Sequence, residues 1–282
     1  MAFRDLLFSA LTYPVGTSDR GLRSGVALAK RLGGDLTFRA IQVDLPHLNN
    51  ALANRMMDLD ALALAEESRS GAAARRAASC ITIAASEAGV SVDARPLTVR
   101  LHDESDVIVT AARTHDLCLL PIGPAAPAGL GLAEAVLFGS GRPVMVFPED
   151  LDISPGPTFE TVMIAWDGSA QAARAVADAL PILRRAGNVR ILSVVGEKPQ
   201  VVAGAAQDLV RHLQAHDVVA LVDEVEADGR KIGAVLAGHL QSMPADLLVM
   251  GGFGHSRLRE FLLGGATASI LAKPPCPVLM SH

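Results

Sequence analysis

The chain has 282 residues, 50% hydrophobic and 20% charged, with a formal net charge of -5. At roughly 100–200 residues per domain, that is core material for two domains or one large one. The mean hydropathy is positive, yet no run of about 18 apolar residues, the length that crosses a bilayer, is present. The apolar stretches at 232–240 and 246–253 are short and broken by Gly, His or Asp. Met1-Ala2-Phe3-Arg4-Asp5 lacks the basic start and apolar run of a secretion signal. The expectation is a soluble cytoplasmic protein with no membrane partner.

Composition removes other classes. Cys80, Cys118 and Cys276 are odd in number and lack CxxC spacing, which argues against a disulfide framework or a structural zinc site. A mildly acidic chain with no Lys/Arg cluster is poorly suited to grip nucleic-acid phosphates, and one Trp and one Tyr leave little for base stacking. No nucleic-acid partner is expected.

In chain order, the apolar run at 3–10 feeds a helix marked by Leu22, Val26 and Ala29, and residues 36–43 form the next strand. Extra sequence from about 46 to 71 carries Met56-Met57, Leu59, Leu62 and Leu64 among acids, and it reads as an added amphipathic helix that covers a surface or a dimer contact. Val107, Ile108 and Ala111 mark a later helix. The strand Asp116-Leu117-Cys118-Leu119-Leu120-Pro121-Ile122-Gly123 follows, and Arg142-Pro143-Val144-Met145-Val146-Phe147 comes after a helical stretch. Residues 149–157 hold two prolines, a glycine and three acids, the composition of a linker.

The pattern then repeats. Residues 161–166 form an apolar strand, Ser169 caps a helix carrying Ala173, Val176 and Leu180, Pro181 is expected to kink it, and Gly187 closes it. Strands at 189–195 and 218–225 flank a helix at 205–215. A helix with Ile232, Val235, Leu236 and Leu240 leads to Asp246-Leu247-Leu248-Val249-Met250-Gly251, and Cys276-Pro277-Val278-Leu279-Met280 ends the chain. Both halves therefore show Asp, apolar strand, Gly-containing loop, helical stretch and X-Pro-Val strand, as a tandem duplication would. The expected domains are 1–150 and 158–282. Alternating strands and helices imply an α/β fold with two tandem doubly wound five-stranded parallel sheets. Ligands of such sheets sit beyond the strands' carboxyl ends, where strand order reverses.

Two loops of the second half occupy such positions. In Trp166-Asp167-Gly168-Ser169 the acid can accept hydrogen bonds from a ribose hydroxyl or an exocyclic amine, or simply begin the turn that Ser169 caps. In Gly251-Gly252-Phe253-Gly254-His255-Ser256-Arg257, followed by Gly264-Gly265-Ala266-Thr267, the glycines let backbone amides approach an anion. His255 and Ser256 add donors there, and Arg257 can hold a phosphate bidentately. The plain alternative is a tight strand-to-helix turn.

Gly251-x2-Gly254-x9-Gly264, set between an apolar strand and a terminal Pro-Val-Leu strand, resembles the nucleotide-binding signature of the universal stress protein family, and Asp167-Gly168-Ser169 matches that family's other fixed feature. The resemblance implies the adenine nucleotide alpha hydrolase-like fold of that family and a cofactor, ATP with Mg2+ or AMP. It implies that Asp167 faces adenine and ribose, that the backbone at Val194-Val195 contacts the base, and that Gly251, Gly254, His255 and Gly264 line ribose and phosphates, with Ser256, Arg257 and Gly265 beside them. Gly265 stands where ATP-binding members carry Ser or Thr, which leaves a backbone N–H without the hydroxyl; helical spacing turns Thr267 to another face.

The first half lacks these features. Ala10-Leu11-Thr12-Tyr13-Pro14 has no acid, and Gly123-Pro124-Ala125-Ala126-Pro127-Ala128-Gly129-Leu130-Gly131 has two prolines and no basic or hydroxyl side chain. It is expected to bind no nucleotide and to serve as a structural partner. Tandem members resemble two family monomers fused into an intramolecular pair, with 144–147 and 278–280 as pairing edges; a homodimer of the whole chain stays open, and the protein partner is unknown.

Cys118 reads as a buried hydrophobe, and Cys276, before a proline at a strand start, as accessible but not activated. Glu197, His212, His216 and His239 lack a recognisable ligand spacing, so no metal site is assigned. No general base stands out, and the expectation is a binding protein, not an enzyme, with any ATP turnover slow. A non-nucleotide assembly module of the same fold is the alternative; an adenylating enzyme ranks lower because no catalytic constellation accompanies the loop.

Overall fold

The computed structural model describes residues 3–45, 59–123, 127–151, 153, 157–196, 204, 206–252 and 265–282. The first half runs β1 (Asp5–Ala10), α1 (Asp19–Leu32), β2 (Asp35–Asp44), α2 (Leu59–Ala88), β3 (Val92–Arg100), α3 (Glu104–Ala112), β4 (Leu117–Ile122), α4 (Pro127–Gly139) and β5 (Val144–Pro148). The second runs β6 (Thr161–Ala165), α5 (Ala170–Leu183), β7 (Asn188–Val195), α6 (Gln207–Gln214), β8 (Ala220–Glu226), α7 (Ile232–Ser242), β9 (Leu247–Gly251), α8 (Ala266–Ala272) and β10 (Val278–Ser281).

The strands form one ten-stranded sheet in the order β3-β2-β1-β4-β5-β10-β9-β6-β7-β8. Every described neighbouring pair is parallel except β5 with β10, where Val278 faces Val146 and Met280 faces Val144. The two five-stranded sheets anticipated from sequence are thus joined edge to edge. That joint removes two exposed strand edges, which would otherwise template further pairing. Strand order reverses between β1 and β4 and again between β6 and β9, so each half has its own crevice position.

Central strands such as β4 (LCLLPI) are buried at every position, as expected for a parallel sheet covered on both faces. Phe8, Phe38 and Phe147 fill one face with Leu22 and Val26 of α1 and Ala175 and Val176 of α5. Val136 and Leu137 of α4 pack the other with Val235 and Leu236 of α7. Both clusters draw on both halves, so the core is continuous across the duplication.

The repeated aspartates have a structural cause. Asp116 Oδ2 accepts the N–H groups of Arg4 (2.8 Å) and Asp5 (3.1 Å), and Asp246 Oδ2 accepts those of Glu160 (2.9 Å) and Thr161 (2.8 Å). Each carboxylate satisfies amides where the half's first strand begins. Helix starts repeat as well: Ser18 Oγ accepts from Gly21 N–H at 3.1 Å, and Ser169 Oγ from Ala172 N–H at 3.2 Å, each an N-cap.

The extra helix differs from its expected form. One continuous 30-residue helix, α2, takes in both the end of the insert and the core helix after it; residues 46–58 lie outside the described set. Its burial begins at Ser70, whose Oγ accepts the Val43 N–H at 2.9 Å and lies 2.6 Å from Thr12 Oγ1. Residues 59–69 include no buried position. Pro181 sits in the last turn of α5. Among the described residues no helix is long and apolar enough to cross a membrane.

Candidate functional site

The crevice of the second half opens where β6 and β9, paired through Ala165 and Met250, release the chain in opposite directions. The turn leaving β6 is built by Asp167 and Gly168. Asp167 Oδ1 accepts the Ser169 N–H at 3.0 Å, and Gly168 takes a φ of +71°, a conformation that costs a side-chain-bearing residue energy and glycine none. Asp167 is half-buried and Gly168 exposed. The acid therefore does what the plain reading asked of it, stabilising the start of α5, and at the same time holds a carboxylate at the point where strand order reverses.

Gly251 closes β9. A Cβ there would lie 2.6 Å from Ala172 N and 2.8 Å from Gln171 C, so the first turn of α5 crosses the strand end too closely for any side chain. The signature glycine thus has a packing requirement that spacing alone did not reveal. At Gly252 a Cβ would lie 2.5 Å from Leu137 Cδ2 of α4, and the backbone is tied to the terminal strand: its N–H donates to Ser281 O at 2.9 Å and its carbonyl accepts from His282 Nδ1 at 3.0 Å.

At the end of β7, Val194 and Val195 are each 6% exposed. Val194 packs in the core, and the Val195 carbonyl accepts the Ala227 N–H at 2.9 Å. Gly265 opens α8 with extended dihedrals and no side-chain cap, and its carbonyl takes the Ser269 N–H at 3.1 Å. Thr267 is buried. Gly254, His255, Ser256, Arg257 and Gly264 lie outside the described residues. Asp167, Gly251 and Val195 thus lie at the carboxyl ends of the neighbouring parallel strands β6, β9 and β7.

The first half ends its crevice otherwise. Registering Asp5 and Asp116 on Thr161 and Asp246 puts Leu11 at the position of Asp167. The N-cap Ser18 N–H instead donates to Glu149 Oε2 at 3.1 Å, and Glu149 N–H donates to Ile122 O at 3.1 Å. Two glycines give this side chain room: a Cβ at Gly123 would lie 2.8 Å from Glu149 Cδ, and one at Gly21 3.1 Å from Cγ. What remains is a cavity of about 20 Å³ lined by Ser9, Leu11, Thr17, Leu132 and Glu149. A single water needs roughly 10–15 Å³ on this scale; residues 124–126, which follow β4 here, lie outside the described residues. Sequence reading missed Glu149; the one hint was an acid directly after the Pro148 that ends β5.

Cys276 is buried, correcting its expected accessibility, and burial pushes its thiol up to about 12. Burial raises the Cys118 thiol too. His212 and His216 stack edge to face at 4.8 Å, and among the described residues no group of three or more potential ligands could hold a metal ion.

The strand order defines an α/β protein with a switch point in each half. Residues 158–282 match the model of the universal stress protein family. A curated universal stress protein from Synechocystis is 26% identical over 157 residues, which is 52% of this chain and 49% of the relative; the match spans about half the relative's length. Among solved structures, a universal stress protein from Archaeoglobus fulgidus superposes with a TM-score of 0.65 at 18% identity, covering 98% of this chain and 96% of its own. A Pseudomonas aeruginosa protein of unknown function does so with a TM-score of 0.51 at 16% identity, covering 99% and 92%. Such likenesses define the fold across both halves.

Proposed function

We propose that the second half binds an adenine nucleotide, ATP with Mg2+ or AMP, in the crevice beyond β6 and β9, that the first half binds none, and that occupancy regulates interactions with partners. The observation that carries this reading is the Asp167 carboxylate, fixed through Ser169 at the switch point of a universal stress protein domain. A carboxylate there suits the hydroxyl and amine donors of an adenosine, as a charge-assisted acceptor. The phosphates would extend toward Gly251 and the loop after it, where a backbone without side chains allows close approach. Mg2+ would travel with the phosphates and supply charge neutralisation.

The reading is one of binding without fast turnover. Equilibrium dialysis with labelled ATP and Mg2+ tests the reading: the wild type retains nucleotide at millimolar concentration and Asp167→Ala loses at least tenfold in affinity. No retention by the wild type, or equal retention by the variant, would refute it. A second reading, a pure assembly module, draws on Gly265, which offers no hydroxyl at the start of α8; native mass spectrometry of gently purified protein with no bound AMP or ATP would favour it.

A further inference from the structure

A second concavity shares no residue with either crevice. It is a groove of about 720 Å³ between the loops that lead into β4 and β5 and the flank of α5, within the roughly 300–1,000 Å³ of small-molecule sites. Four arginines line it: Arg142 from the first half, and Arg174, Arg184 and Arg185 from the second. In a chain of net charge -5, this is a local concentration of the opposite sign, which focuses an attractive field on anions.

Two carboxylates, Asp116 and Asp178, also line the groove and offset two of the four arginine charges, leaving it net positive. Asp116 is committed to the Arg4 and Asp5 amides, and Asp178 to Arg174 at 2.9 Å and to the Ser281 hydroxyl at 2.8 Å. The other three guanidinium groups are held by uncharged backbone carbonyls and one imidazole nitrogen: Arg142 Nε donates to Arg113 O at 3.3 Å, Arg184 Nε to His216 O at 3.1 Å with an Arg184 Nη 3.2 Å from His216 Nδ1, and an Arg185 Nη to Pro157 O at 2.9 Å. None of the three has a carboxylate partner among the described residues. A carbonyl orients a guanidinium without neutralising it, and each retains further N–H donors in the fork that matches phosphate oxygens.

We propose that this groove is a binding site for a multiply charged phosphate-bearing small anion, with Arg142, Arg184 and Arg185 as its ligands from both halves of the chain. Because the arginines come from both halves, the bound anion bridges them across the β5–β10 joint. The shared chemistry is an oligophosphate chain, whether free or as the tail of a nucleotide.

Calorimetry on the full chain with inorganic tripolyphosphate tests this. The wild type should bind in low salt and weaken as salt is added; the Arg142→Gln/Arg184→Gln double variant should lose at least tenfold in affinity, while Asp167→Ala and the surface control Arg75→Gln keep it. ATP binding retained in Asp167→Ala but lost in the double variant would identify the nucleotide tail as a ligand; tripolyphosphate alone binding would identify the free chain. Should the double variant fold poorly, phenylglyoxal labelling of the wild type reads the same site, with tripolyphosphate protecting Arg142, Arg184 and Arg185 in the peptide map. No binding at millimolar tripolyphosphate in low salt, undiminished binding by a folded double variant, loss with Asp167→Ala instead, or no protection of the three arginines would overturn the proposal.

Discussion

The two halves solve one local problem with different residues. A helix begins beside each crevice, and its capping serine needs an acceptor for its own N–H. In the second half that acceptor is Asp167, two residues before Ser169. In the first it is Glu149, 131 residues from Ser18, because the position matching Asp167 holds Leu11. The local acid stays within its own turn; the distant one reaches from the end of β5 to the start of α1. The same helix start is thus reached with different residues in the two halves, so likeness of fold carries no guarantee about the site.

The comparison can be broken most forcefully at Gly251. The matching position in the first half is Pro121, and there the glycine sits on the helix instead, as Gly21. Gly251→Val should therefore displace α5 and cost about 3 kcal/mol, at the upper end of overpacking effects, seen as a lower urea midpoint; Gly21→Ala, facing a flexible Glu149 side chain, should cost less. Equal effects would mean that the close approach at α5 is not what fixes the glycine.

The second comparison is between two cross-strand ion pairs. Arg190 and Asp223 are 20% and 13% exposed, whereas Arg39 and Asp93 are 23% and 44% exposed. Asp223→Ala strands a largely buried guanidinium and should cost about 2 kcal/mol; Asp93→Ala should cost under about 1 kcal/mol. The Arg190 guanidinium, opposing desolvation and aided by His239, holds the Asp223 carboxyl below its usual range. Its folded form thus favours the charged state, so the stabilisation is complete above about pH 4 and is lost as pH falls through the depressed value. Between pH 5 and 3 the urea midpoint of the wild type should fall more steeply than that of Asp223→Asn.

Glu149→Ala should cost about 1 kcal/mol in stability, the worth of an N-terminal acceptor, and leave nucleotide binding by the second half unchanged. A loss of binding would couple the halves in a way their separate crevices do not require. A separate, pH-dependent effect is at Glu104, first residue of α3, where α7 begins with Ile232. Burial lifts the Glu104 carboxyl to about 7, so the folded chain holds that proton where the unfolded chain, titrating near 4.3, has released it. Stability therefore declines as pH rises through that window. Glu104→Gln should unfold at higher urea than the wild type at pH 8 and at equal urea at pH 4.

The repeat was legible because its marks recur at matching places in both halves. The apolar strands and the capping serine act within a few residues of their place in the sequence; the recurring Asp reaches amides 111 and 112 residues away in one half and 85 and 86 in the other, yet stands directly before a strand in both. β3 was not legible: an edge strand, Val92–Arg100, with Pro96 inside it and one buried position, has none of the apolar continuity of β4. The length of α2 was hidden because residues 59–69 include no buried position, so apolar periodicity did not mark the join. At the site, Asp167 and its turn were readable from an Asp-Gly-Ser string after a strand. Glu149 was not, since its role comes from a contact between residues far apart in the chain. Nor was the packing need at Gly251, which depends on how closely α5 crosses β9.

The account stands or falls on where an adenine base sits. Photolabelling the full chain with 8-azido-ATP and Mg2+, followed by peptide mapping, reads that position directly. The prediction is label on second-half peptides flanking Asp167 or the end of β7, strongly reduced in Asp167→Ala, with none on residues around Leu11, Thr17 or Glu149. Label in the first-half crevice, or undiminished label in the Asp167→Ala protein, would contradict it.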